Sequence, residues 1–93
     1  MVSCPTVGEL YGMREALEVY AIREAVRSIS EIELDALRKV CAAHRVILDE
    51  LIASGRPYGT FDEIRAWMDL EEQFHSLLVA ASRNRFVVRT VRN

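Results

Sequence analysis

Apolar residues recur at intervals of three and four along most of this chain, which is the spacing that places side chains on one face of an α-helix. The clearest case is the face formed by Ile64, Trp67, Glu71, Phe74, Leu78 and Ala81. His75 lies one turn after Glu71, at the edge of the same face. This stretch therefore predicts an amphipathic helix that carries a carboxylate and an imidazole four residues apart.

Three short segments predict where helices begin. Each fits the capping box, in which a Ser or Thr hydroxyl and a Glu carboxylate three residues later satisfy free backbone N–H groups. The three segments are Thr6–Glu9, Ser30–Glu33 and Thr60–Glu63. They predict helices from about Val7 to Arg27, from Glu31 to Ser54 and from Thr60 to Ala81.

Two further signals complete this division of the chain. Gly55, followed by Pro57, predicts the end of the second helix. Asn84 is predicted to be the N-cap of a fourth, short helix. No helix-end signal follows it in the sequence.

The inner faces of the first two helices indicate how they pack. The first helix is predicted to pack through Val7, Leu10, Leu17, Ala21 and Ala25, and the second through Leu34, Leu37, Cys41, His44, Leu48 and Leu51. Helices joined by short connections pack as antiparallel neighbours. The sequence thus predicts an all-α, antiparallel helical bundle of three helices and the start of a fourth. Such an incomplete bundle leaves apolar surface for another chain or further residues to cover.

Composition narrows the class of protein. With 93 residues, 51% of them hydrophobic and 28% charged, the chain is expected to form one globular domain. A formal net charge of -2 gives no general attraction to nucleic acid or an anionic membrane. The basic last segment, with Arg83, Arg85, Arg89 and Arg92, is more typical of a solvated helix face than of a nucleic-acid contact.

The compartment is predicted from cysteines and from leader patterns. Cys4 and Cys41 belong to no CxxC pair and are too few for a disulfide framework, which favours a reducing compartment. We expect Cys41 in the core and Cys4 exposed. No apolar run of membrane-spanning length and no basic, apolar leader is found, so we expect a cytoplasmic chain with no membrane partner.

Polar residues interrupt the inner faces: Arg14 on the first helix, His44 on the second and Glu71 on the third. A buried charge is costly unless it is paired, so these residues suggest a polar cavity for a ligand or metal. Simpler interpretations stay open. Arg14 and Glu71 can form an interhelical ion pair, and His44 and His75 can be packed core histidines. Cys41 and His44 lack the second pair that a zinc site needs.

Catalytic signals are weak. The chain has no Ser-His-Asp set, no Gly-rich phosphate loop and no HExxH motif. Glu71 and His75 form only an ExxxH pair, without a nucleophile or a third ligand. We therefore expect no enzyme, although a metal-dependent enzyme is the third hypothesis.

Two motifs resemble a known family. Leu10–Glu18, LYGMREALE, is similar to the opening helix of the FCD domain, the C-terminal effector domain of FadR-type members of the GntR transcription regulators, which typically reads LYEVREALE. The second helix, Ile32–Ile52, is leucine-rich and charged, as in that family. The family's third helix carries a D-x-x-x-H signature within FHxxLxxASxN, which is matched in order by Phe74, His75, Leu78, Ala81, Ser82 and Asn84. The resemblance covers essentially the whole chain.

The resemblance implies a domain that binds a small organic acid, often beside a divalent metal of the Zn, Ni or Mn class, and that dimerises. Arg14 matches the first-helix arginine that meets the effector's carboxylate. His75 matches a metal ligand, and Glu71 stands where the family usually has a ligand aspartate. The family's other two histidine ligands lie on later helices, so the metal site is expected to be incomplete.

The resemblance also implies an effector-sensing and dimerisation role for residues 1–93, as the first half of an FCD domain. The family's winged helix-turn-helix has no counterpart before Met1, so we expect no DNA binding by this chain alone. A homodimer or a swapped oligomer would cover the exposed apolar surface. The alternative is a ligand-free helical oligomerisation module, in which the polar residues set register.

Overall fold

Four α-helices follow one another: α1 (Val7–Ser28), α2 (Glu31–Ser54), α3 (Phe61–Ala81) and α4 (Arg85–Arg92). The computed structural model describes residues 4–92, the last two by their backbone alone, so the side chain of Arg92 lies outside it. No strand occurs in this range, and the predicted all-α class is confirmed. No helix within it is long and apolar enough to cross a membrane.

All three predicted capping boxes are present. Thr6 Oγ1 accepts the Glu9 N–H at 3.1 Å while Glu9 Oε1 accepts the Thr6 N–H at 2.8 Å. The same reciprocal pair joins Ser30 to Glu33 and Thr60 to Glu63. Because each box needs only four neighbouring residues, it sets a helix start independently of tertiary packing.

The other predicted boundaries are also confirmed. Gly55 ends α2 in the left-handed conformation, with φ of 70°, and its N–H donates to the Ile52 carbonyl. Asn84 caps α4, because its Oδ1 accepts the N–H groups of Phe86 and Val87 at 3.0 and 3.2 Å. The Asn84 amide also donates to the Tyr20 hydroxyl at 3.0 Å, which ties this cap to α1.

The chain divides into two compact units. The first comprises Met1–Ile29 and Leu78–Asn93, so it contains α1, the last turn of α3 and α4. Its core is formed by small side chains: Ala21, Val79 and Val87, with Leu17 and Val88 packed against them. Two hydrogen bonds reinforce it: the Ser28 hydroxyl donates to the Ala81 carbonyl, and the Arg83 guanidinium donates to the Ser28 carbonyl.

The second unit is Ser30–Leu77, which contains α2 and most of α3. Arg56 and Glu63 meet beside the turn, and the rings of His44 and Trp67 meet farther from it. Residues that meet farther from the turn come earlier in α2 and later in α3, so the two helices run antiparallel. The turn between them is the segment 55–60.

Burial departs from the predicted inner faces on all three long helices, and on α2 and α3 Leu48 and Ile64 are 36% and 50% exposed. Val7 and Leu10 are 69% and 53% exposed, because the described contacts of α1 lie in its C-terminal half, around Ala21. Cys41 is exposed, so its predicted place in the core is wrong. The buried side of α2 runs instead through Leu37 and Val40, which leaves Cys41 at its edge.

Stability should fall in acid because of Glu63. The Arg56 guanidinium, followed by the Thr60 N–H, lowers the pKa of Glu63 from 4.5 to about 2. A carboxyl whose folded pKa is depressed stabilises the fold above its unfolded pKa, and that contribution is lost as pH falls from about 4.5 toward about 2. Glu63→Gln keeps a capping side chain but cannot ionise. Its melting temperature should therefore fall less over this pH range.

The measurement is thermal unfolding followed by circular dichroism between pH 2 and 5. The Thr6 N–H also lowers the pKa of Glu9, but this carboxyl is present in both proteins, so their difference isolates Glu63. Parallel losses of melting temperature in the two proteins would contradict the prediction.

Candidate functional site

The antiparallel pairing of α2 and α3 places one carboxylate between two imidazoles. Glu71 Oε1 lies 3.6 Å from Nε2 of His44, and Glu71 Oε2 lies 3.4 Å from Nε2 of His75. His75 reaches Glu71 along α3 because residues four apart share a helix face. His44 reaches it from α2. The structure thus joins the two predicted metal ligands and adds a histidine.

Accessibility differs within this cluster. The Glu71 side chain is 47% exposed, whereas the side chains of His75 and His44 are 25% and 15% exposed. The Trp67 ring packs on His44 with centroids 4.4 Å apart, and the Phe74 ring meets His75 edge-on at 5.9 Å. A solvent-accessible carboxylate therefore lies between imidazoles that aromatic rings hold in place.

The spacing of the two donor atoms suits a shared metal ion, but their number does not complete its coordination. Two ligands bound at 2.0–2.1 Å to a tetrahedral ion lie about 3.3 Å apart, close to the 3.4 Å between Glu71 Oε2 and His75 Nε2. However, no three His, Cys, Asp or Glu side chains among the described residues are arranged to hold a metal. Glu71 and His75 as metal ligands stay a prediction, with the remaining coordination positions to be filled from outside this pair.

Arg14 is not one of the residues of this cluster. Its side chain is 56% exposed, so the inward position predicted for it is not observed. Its Nε donates to Glu18 Oε1 at 3.2 Å, one turn farther along α1. Arg14 belongs to the first unit, whereas Glu71 and His75 belong to the second. Its role as an effector anchor stays a prediction.

His44 and Glu71 were both expected on inner faces, but their pairing with each other was not predicted. A signal for it exists. His44 lies eleven residues before Gly55, where α2 ends, and Glu71 lies eleven residues after Thr60, which caps α3. In an antiparallel pair, residues equally distant from the turn lie opposite each other, so the boundaries alone bring these two side chains together.

The contact between His44 and Trp67 can be tested by fluorescence, because Trp67 is the chain's one tryptophan. His44→Ala should expose the indole face to water, shift its emission to longer wavelength and cost about 1 kcal/mol of unfolding free energy. His44→Phe is the matched control, since it keeps a ring against Trp67. Identical emission from the alanine variant and the unmodified chain would show that the contact is absent.

Comparison with known proteins identifies the family. Residues 9–93 match the FCD domain family, which covers nearly the whole chain. Searches of curated proteins and of solved structures found no match. The FCD domain is the regulatory, ligand-binding domain of GntR-family transcription regulators rather than a catalytic domain. The resemblance of the opening and third helices is thereby confirmed, and this chain belongs to the FCD domain family.

Proposed function

We propose that this chain senses a small organic acid for a cytoplasmic GntR/FadR-type transcription regulator, and that it does so as a homodimer or swapped oligomer. In this proposal Glu71 and His75 bind a divalent metal ion, and Arg14 binds the carboxylate of the effector. The observation that carries the proposal is the Glu71–His75 pair, with donor atoms 3.4 Å apart, within a chain of the FCD family.

The metal part is supported by the chemistry of the donors. Glu71 offers a partly exposed carboxylate and His75 offers an imidazole nitrogen, a combination that zinc, nickel and manganese ions accept. A bound ion would supply the positive charge that attracts an acid. The residues of this chain would hold the ion's ligands in place, because the ring of Phe74 supports His75 and His44 lies beside the other carboxylate oxygen of Glu71.

The effector part is supported by the guanidinium group of Arg14. Its exposed fork can bind a carboxylate through two parallel hydrogen bonds, which is a strong, charge-assisted contact. In the structure Glu18 accepts from Nε, so an internal carboxylate occupies one side of this group. An incoming acid would compete with Glu18 for the guanidinium.

Sensing would act by population shift. An acid that binds one arrangement of the helices more tightly than another favours that arrangement, and the attached DNA-binding domain responds. We propose no DNA binding and no enzymatic activity for this chain itself. The alternative, a ligand-free oligomerisation module, is favoured by the apolar side chains on the surface, such as Ile32 and Phe61, which are 84% and 76% exposed.

Metal binding tests the first part. We expect Zn²⁺, Ni²⁺ or Mn²⁺ to bind the untagged, chelator-stripped chain, measured by calorimetry and by Trp67 emission. Glu71→Gln and His75→Ala should each weaken binding by more than about tenfold, because even outer ligand partners contribute that much. Glu72→Gln is the control, since this neighbouring carboxylate lies outside the pair.

Exposed thiols also bind zinc, so the titration uses a background in which Cys4 and Cys41 are replaced by Ser. Equal affinity in all variants, or no binding at all, would rule out Glu71 and His75 as ligands.

Acid binding tests the second part. Acetate, malonate and citrate, added with and without the metal, should raise the melting temperature if one of them resembles the effector. Arg14→Ala should abolish any such increase, and Arg14→Lys should reduce it because lysine lacks the bidentate fork. Arg45→Ala is the control, since Arg45 is also an exposed arginine paired with an acid four residues away. An unchanged increase in Arg14→Ala would exclude Arg14 as the anchor.

A further inference from the structure

Three large apolar side chains form an exposed stripe on successive turns of α3. Phe61, Ile64 and Met68 are 76%, 50% and 64% exposed, and their spacing places them on one face. With Arg65 and Asp69 they line a shallow groove of about 280 Å³. We call these five residues the α3 stripe. Contiguous apolar surface rimmed by polar residues marks interaction sites on soluble proteins.

The two charges of the α3 stripe are available to a partner. Arg65 and Asp69 lie four apart, at a spacing that often supports an ion pair. Neither forms an ion pair with any residue that the structure describes. The stripe therefore presents one free cation and one free anion, one helical turn apart, on the same flank of its apolar residues.

Such a surface complements itself. When two copies of a helix pair antiparallel about a twofold axis, the cation of each copy faces the anion of the other, and every contact occurs twice. An unrelated partner would have to match one charge of each sign, whereas a second copy does so by symmetry. The arrangement of charge thus favours a second copy of this chain.

We propose that two copies of this chain associate through their α3 stripes about a twofold axis that passes between Ile64 and Met68. Ile64 then lies opposite Met68 of the second copy. With a rise of 1.5 Å per residue, Arg65 lies within about 3 Å, along the helix axis, of the second copy's Asp69. This inference rests on the dimerisation part of the proposed function and assigns a surface to it.

Sedimentation equilibrium of the untagged chain over a concentration series tests the proposal. A reducing agent prevents disulfide-linked dimers through the exposed Cys4 and Cys41. Neither metal nor acid is added, so the result is independent of effector sensing. We expect the mass to rise from one copy to two. Met68→Asp should raise the dissociation constant by at least about tenfold, because the lost apolar contact occurs twice.

Ile32→Asp is the matched control for this substitution. Ile32 is an apolar residue of the same unit, it is 84% exposed, and an acid is favourable in the first turn of α2. Its dissociation constant should equal that of the unmodified chain, and circular dichroism should show unchanged helix content in both variants.

Charge reversal tests the twofold arrangement itself. Arg65→Glu and Asp69→Arg should each weaken association, because each places like charges opposite one another twice. The double variant Arg65→Glu/Asp69→Arg should restore it. A chain that stays monomeric at all concentrations, a dimer unaffected by Met68→Asp, or a weakened dimer that the double variant does not restore would each overturn the proposal.

Discussion

One carboxylate oxygen fixes the geometry of the second unit. Glu63 Oε1 accepts the Thr60 N–H at 2.8 Å and the Arg56 guanidinium at 2.7 Å. The first contact caps α3, and the second joins that cap to the segment that follows α2. The start of α3 is thereby fixed both along its own axis and relative to the end of α2. This double role also explains why the pKa of Glu63 is lowered so strongly.

The position of the candidate site follows from this cap. Glu63, Trp67, Glu71 and His75 are spaced by four residues, so they form one ridge along α3. The contacts of Glu63 set the register of this ridge relative to the end of α2, and the packing of α3 on α2 sets the face that it presents. Trp67 then meets the ring of His44, and the carboxylate one turn later lies between His44 and His75. The local capping motif therefore sets the register at which these side chains meet two turns away.

The features that the sequence predicted well have local causes, and those that it predicted less well have non-local causes. Helix boundaries were predicted to within one residue, because capping boxes, a left-handed glycine and an asparagine cap act over four residues. Burial was predicted less well. Leu10 and Cys41 satisfy the apolar spacing yet are exposed, since a pattern shows which face is apolar but not which part of it has a neighbour.

The inward position assigned to Arg14 failed for the same reason. Around it the first half of α1 has exposed apolar neighbours, such as Leu10 and Met13, and the guanidinium turns to Glu18 on its own helix. The pairing of His44 with Glu71, by contrast, required only the two helix boundaries. It was accessible to sequence reasoning, because it depends on register rather than on packing.

The α3 stripe and the candidate site are neighbouring faces of one helix, which links the two proposals. In the twofold pairing about the point between Ile64 and Met68, Phe61 of the second copy lies level with Glu71. An apolar ring beside a half-exposed carboxylate reduces its access to water and strengthens its attraction for a cation. Binding at Glu71 and association of two copies would then favour each other, and the linkage is reciprocal by thermodynamic necessity. A metal ion that binds there would promote the dimer as much as the dimer promotes its binding.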